Sequence, residues 1–140
     1  MIFHSNNESE TSEFAEEFSR TIRPGDVVAL SGELGAGKSV FARALMRALG
    51  VTDEAMPSPT FAIIQEYPAK GCRVAHMDWY RLSCVEELEA IGVREYMQVP
   101  WITIVEWPER AASLLPSSTR HVSITTIAAD PHGRDIAIDA

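Results

Sequence analysis

Basic residues are scarce in this chain and never form a run: 12 Lys and Arg stand against 20 Asp and Glu, for a net charge of −8. A protein that grips a nucleic-acid backbone needs a basic footprint, so direct binding of nucleic acid is disfavoured. Cysteine is scarcer still. Cys72 and Cys84 make neither a CxxC pair nor a metal-ligand cluster with His4, His76, His121 or His132, which leaves two reduced thiols and no zinc motif. No stretch approaches the roughly 18 to 20 apolar residues of a membrane span, and Met1 to Asn7 lacks a basic leader region. Cytoplasmic residence without membrane attachment is the expectation. What remains is ordinary: 140 residues, 46% hydrophobic and 23% charged, suited to a single domain over 1–140.

Apolar spacing lays out the elements. Asn7 and Glu10 form a capping box ahead of Phe14, Phe18 and Ile22, which recur at helical steps. Pro24 and Gly25 end that helix, and Asp26 to Ser31 reads as a strand buried on both faces. A second helix follows over Val40 to Leu49, stopped by Gly50. Further strands are predicted over Phe61 to Tyr67, with a turn at Pro68 to Gly71, over Arg73 to Met77 ending at Asp78, and over Trp101 to Val105 ending at Glu106. Ser83 and Glu86 read as a second capping box, opening a helix through Glu89. Val122 to Ile127 and Ile136 to Ile138 suggest a terminal hairpin around Asp130-Pro131-His132-Gly133. The fold class is therefore α/β: a mostly parallel sheet flanked by helices, with a C-terminal antiparallel hairpin.

Between the first of these strands and the second helix stands Gly32-Glu33-Leu34-Gly35-Ala36-Gly37-Lys38-Ser39, which fits G-x-x-x-x-G-K-[ST]. Its glycines let the backbone curl with amides pointing inward, and the helix adds its positive N-terminal end. Lys38 would reach the β and γ phosphates, and the Ser39 hydroxyl is a hard oxygen ligand for Mg2+. With Gly at about 7% of residues, a chance match is on the order of one in a hundred. The flanking strand and helix lower it further, so a P-loop NTPase is the reading. No N-K-x-D base reader is present, which favours ATP over GTP.

Taken together, Gly32 to Ser39, Ser58-Pro59-Thr60-Phe61, His76-Met77-Asp78-Trp79-Tyr80-Arg81-Leu82 and Glu106-Trp107-Pro108-Glu109 resemble the TsaE (YjeE) family in order and spacing. Glu10-Thr11, Glu87-Leu88-Glu89, Gly92, Tyr96 and Gly133-Arg134 extend the resemblance to nearly the whole chain. It implies an ATPase serving N6-threonylcarbamoyladenosine (t6A37) modification of tRNA. Such a protein acts on a TsaB/TsaD complex and meets tRNA only through it. Ser39 stands where Thr is more usual, Met77 where Phe is, and Trp79 where Leu is.

The resemblance implies that Glu106 is a carboxylate associated with Mg2+ and that Asp78 is a second acid near the γ phosphate; either could orient water. Both end strands, at the edge where open α/β sheets bind ligands. Thr60 reads as a switch residue sensing the γ phosphate, with a plain turn threonine as the alternative. Trp107 is a site wall or core packing. Glu8 and Thr11 would line the adenine end of the site by resemblance. Arg134, with Arg81, is a candidate for phosphate or partner contact. His76 reads as a packed strand residue. The rival functions are a small-molecule kinase, for which no Arg-rich lid is visible, and a non-catalytic nucleotide-gated binding module.

Overall fold

Residues 1–33, 35–53 and 63–139 are described by the structure, a computed structural model. The strands are β1 (Ile2–Ser5), β2 (Val27–Ser31), β3 (Ile64–Ala69), β4 (Cys72–Asp78), β5 (Trp101–Glu106), β6 (Arg120–Ile127) and β7 (Asp130–Ile138). The helices are α1 (Glu8–Ser19), α2 (Lys38–Ala48) and α3 (Glu86–Ala90), with 3-10 turns at Val93–Met97 and Pro108–Leu114. One seven-stranded sheet has the order β1-β7-β6-β2-β5-β4-β3. Its four central strands, β6, β2, β5 and β4, run parallel. The outer ladders, β1 to β7, β7 to β6 and β3 to β4, are antiparallel. The sheet is thus mixed, parallel through its centre and antiparallel at its margins, and β6 with β7 forms the expected C-terminal antiparallel hairpin.

Apolar side chains cover both faces. Val28, Leu30, Val74, Ile104 and Ile124 pack with Phe14 and Phe18 of α1 and Phe41 and Leu45 of α2. Val27, Ala75, Met77 and Val105 project to the other face and pack with Trp79, Leu88 of α3, Val93 and Leu114. Full burial of one such aliphatic side chain contributes about 1.5–3 kcal/mol, so continuous apolar runs are what strands covered on both faces require. Met77 and Trp79, the two apolar departures from the family pattern, are fully buried and act as packing residues.

Local signals succeed or fail by what tertiary pairing allows. Asn7 caps α1, its Oδ1 accepting from the Glu10 amide at 2.9 Å, but the Glu10 carboxylate reaches past Asn7 to the Asn6 amide at 3.1 Å. Ile22 lies beyond the helix end at Ser19 yet stays buried. The expected Ser83 box does not form. The Ser83 amide donates instead to Glu87 Oε1 at 3.0 Å, and α3 begins after Val85 with no side-chain cap. The hairpin turn falls earlier than Asp130 to Gly133 suggests, because Ile127 pairs with Asp130 beside an irregularity at Thr126/Ile127. Residues 130–133 therefore belong to β7. Similarly Pro68 and Ala69 remain in β3 opposite Arg73 and Cys72, and the turn is confined to Lys70 and Gly71. Strand β1 carries no strong local signal and is held by its ladder with β7. Among the described residues no helix is long and apolar enough to cross a membrane.

Because the central strands are parallel, they finish along one edge. Leu30 stands opposite Glu106, and Glu106 opposite Asp78. The loop between β2 and α2 leaves from that same edge.

Candidate functional site

Gly32, Glu33 and residues 35–37 lie between the end of β2 and the start of α2. At Gly32 a Cβ would sit 2.6 Å from the Ile124 carbonyl oxygen, so only glycine lets the loop lie this close to β6. Gly37, the N-cap of α2, adopts φ 99°, a left-handed conformation that suits glycine. Arg134 of β7 braces the loop. Its Nε donates to the Ala36 carbonyl at 2.8 Å and its Nη2 to the Gly35 carbonyl at 3.3 Å, while Nη1 donates to Pro131 and Gly133. The guanidinium thus holds the loop by its backbone carbonyls.

Lys38, the first residue of α2, is only 6% exposed, and its ammonium has no hydrogen-bond partner among the described residues. The Nζ rests 3.6 Å from the centre of the Trp107 ring. Burial holds its pKa below the ordinary lysine range, opposed by the nearby charges of Glu106, Glu109 and Asp78. A buried ammonium without hydrogen bonds costs folding free energy, and a cation–π contact returns only part of it.

Trp107 reaches the lysine through an unusual backbone. It has φ 58° and ψ 51°, the only positive φ at a non-glycine residue among those described. Such a conformation costs of order 1 kcal/mol or more. It reverses the chain directly after Glu106 and lays the indole back over Lys38, with the Tyr80 ring 4.8 Å away. Glu106 itself is 5% exposed, and its Oε2 lies 2.6 Å from Nε2 of the buried His76. Asp78 is half-buried, and its Oδ1 accepts from the Tyr80 amide at 2.9 Å. The Trp79 amide donates to the Glu106 carbonyl at 3.1 Å, locking the two strand ends together.

Among the described residues, two clefts open against the loop. The larger, about 750 Å³, is lined by Gly32, Glu33, Ala36, Tyr80, Trp107, Glu109 and the β6 stretch Ser123 to Thr126. The smaller, about 260 Å³, is lined by Asn7, Glu8, Thr11, Gly37, Val40, His132 and Arg134, among others. Glu8 and Thr11 therefore share one cleft with the end of the loop, although the Thr11 hydroxyl is engaged with Ser5 Oγ at 2.7 Å. Ser39 occupies the first turn of α2 and is half-buried. Leu34 and Thr60 lie outside the described residues. Among the described residues, no three His, Cys, Asp or Glu are grouped to hold a metal ion by themselves.

His76 is the packed strand residue expected, buried in β4, but its contact with Glu106 and the place of Glu109 and the polar end of β6 in the larger cleft were not legible in the sequence. His76 left a signal: it stands two residues before Asp78 in one strand, hence on the same face.

A family model described as "Threonylcarbamoyl adenosine biosynthesis protein TsaE" matches residues 5–136. The chain belongs to the TsaE family. It is 34% identical to a Rickettsia bellii protein over 119 residues, 85% of this chain and 82% of that one. A Treponema pallidum protein is 35% identical over 124 residues, 89% of this chain and 90% of that one. Both are named tRNA threonylcarbamoyladenosine biosynthesis protein TsaE. The fold matches a crystal structure of Bacillus subtilis YdiB with a TM-score of 0.81 at 30% identity, over 99% of this chain and 83% of that chain. The names of these relatives refer to the biosynthesis of threonylcarbamoyladenosine in tRNA.

Proposed function

We propose that this TsaE-family chain is a cytoplasmic P-loop ATPase that binds ATP with Mg2+ on residues 32–39 and hydrolyses it for t6A37 modification of tRNA, acting on a TsaB/TsaD complex. The observation that carries the reading is the Lys38 ammonium. It is buried at the start of a helix without a hydrogen-bond partner among the described residues, behind a glycine-rich loop and beside two strand-end carboxylates. A fold tolerates such a group where an anion supplies the missing acceptors.

The donor set suits the nucleotide and its ion. The loop amides and Lys38 would take phosphate oxygens, and Glu8, Thr11 and Arg134 edge the cleft offered to the base and ribose. Ser39 and Glu106 would hold Mg2+. When bound, Mg2+ neutralises charge on the β and γ oxygens. Asp78 or Glu106 orients the attacking water, and Lys38 moves off the Trp107 ring to meet the phosphate. The Thr60 loop would sense the γ phosphate and relay its loss to the partner.

Phosphate release measured with and without TsaB and TsaD tests the proposal. Turnover is expected to be slow alone, as for isolated P-loop proteins, and to rise about tenfold or more with both partners. Absence of stimulation would sink the partner assignment. A nucleotide-gated module would bind ATP and partner yet release no phosphate even in the complex, and a kinase would phosphorylate an added small molecule.

The Arg134 brace gives a separate expectation. Arg134→Lys keeps the charge but cannot reach several carbonyls at once, so affinity for a fluorescent ATP analogue should fall about tenfold. Unchanged affinity would show that the loop holds its shape unaided.

A further inference from the structure

Among the apolar side chains under α2, one position is an imidazole. His76 and Glu106 share the face of the sheet occupied by Val74, Ile104 and Leu30, since His76 pairs with Ile104 and Glu106 with Leu30. His76 is 2% exposed, and its Nδ1 has no hydrogen-bond partner among the described residues. An aliphatic residue would fill this place without leaving a polar atom unsatisfied. Among the described residues the ring's one polar contact is Nε2 to Glu106 Oε2, 2.6 Å.

We propose that His76 is a positioning residue for hydrolysis: its Nε2–H donates to Glu106 Oε2 and fixes the carboxylate, so that Oε1 is the oxygen offered to the phosphate loop. This inference rests on the ATPase reading above. Glu106 is carried at the end of β5, directly before the left-handed turn at Trp107. Without a lateral anchor its side chain could choose among several rotamers. The donor from β4 selects one of them, as partners of metal-binding carboxylates do elsewhere. Placing the proton on Nε2 is also the economical choice. A proton on Nδ1 alone would bury an unpaired N–H and leave two acceptors facing each other.

Two measurements test this. Side-chain 15N NMR of the nucleotide-free protein should find a proton on His76 Nε2; an unprotonated Nε2 overturns the proposal without reference to activity. For variants, His76→Leu should lower kcat for ATP hydrolysis about tenfold or more, the range seen when such anchors are removed. Its ATP affinity measured without metal should stay at the wild-type level. His76→Gln, whose amide nitrogen can reach the same place, should recover most of the rate. Wild-type kcat in folded His76→Leu, or equal losses in the Leu and Gln variants, would overturn the proposal. So would a loss of metal-free ATP affinity as large as the loss of kcat.

A Glu106→Gln background separates this inference from the one beneath it. There His76→Leu should add nothing further, because both act through one carboxylate. If Glu106→Gln alone leaves hydrolysis intact, the role of Glu106 in the ATPase fails. If it abolishes hydrolysis while His76→Leu does not, only the positioning role fails.

Discussion

Glu106→Gln should leave the protein folded and able to bind ATP but slow its hydrolysis by about 100-fold or more, the scale at which a positioned acid or base contributes. The expectation follows from where the carboxylate sits. Glu106 is nearly fully buried, in register with Asp78 across one ladder and Leu30 across the other, so its backbone is held from both sides. Glutamine keeps the shape and an acceptor oxygen for His76, while removing the charge that would meet Mg2+ or polarise water. Equilibrium binding of a fluorescent ATP analogue, set beside phosphate release in the partner complex, separates the two effects. Phosphate release equal to wild type would refute the role.

Lys38→Met should move stability and binding in opposite directions. Two charge-assisted hydrogen bonds to phosphate, each worth roughly 1.5–3 kcal/mol, imply a loss of ATP affinity of about 100-fold or more. Yet the nucleotide-free variant should melt higher than wild type, by about 3 °C for each kcal/mol of relieved burial cost, because methionine needs no hydrogen bonds in that space. The pH dependence has a definite sign. Below the depressed folded pKa, Lys38 is charged in both states and the folded protein bears the whole penalty. As pH climbs from there toward the ordinary value of 10.5, the folded state sheds its proton first and the penalty fades. The melting-temperature gap between variant and wild type should therefore narrow with rising pH. Calorimetry across that window checks it, and a Lys38→Met protein less stable than wild type at neutral pH would contradict the account.

Much of this site could be read from the chain because its decisive pieces are local. The apolar run before Gly32, the glycine spacing and the helical stripe after Ser39 announce a strand, a loop and a helix in order. Asp78 and Glu106 each close an apolar run, and the parallel centre of the sheet then brings both to one edge. Contacts that depend on long-range pairing were not readable. Strand β6 lies parallel to β2, with Ser123 opposite Ser31, and so carries hydroxyls to the larger cleft. The pairing of Ile127 with Asp130 outweighs the turn signal of Asp130-Pro131-His132-Gly133. His76 looks like filling until Glu106 is set beside it from another strand. Arg134, a candidate for phosphate or partner contact, also sets its guanidinium on backbone carbonyls of the loop, a geometry that composition and periodicity do not encode.

That brace has a consequence for the order in which the protein becomes competent. Arg134 and Ala36 are 98 positions apart, so on the ribosome the glycine segment emerges long before the residue that steadies it. A nascent chain carrying β2 and α2 alone has the pattern of a nucleotide binder without its finished pocket. Affinity for ATP should arise late in synthesis, once the closing hairpin has docked against the sheet.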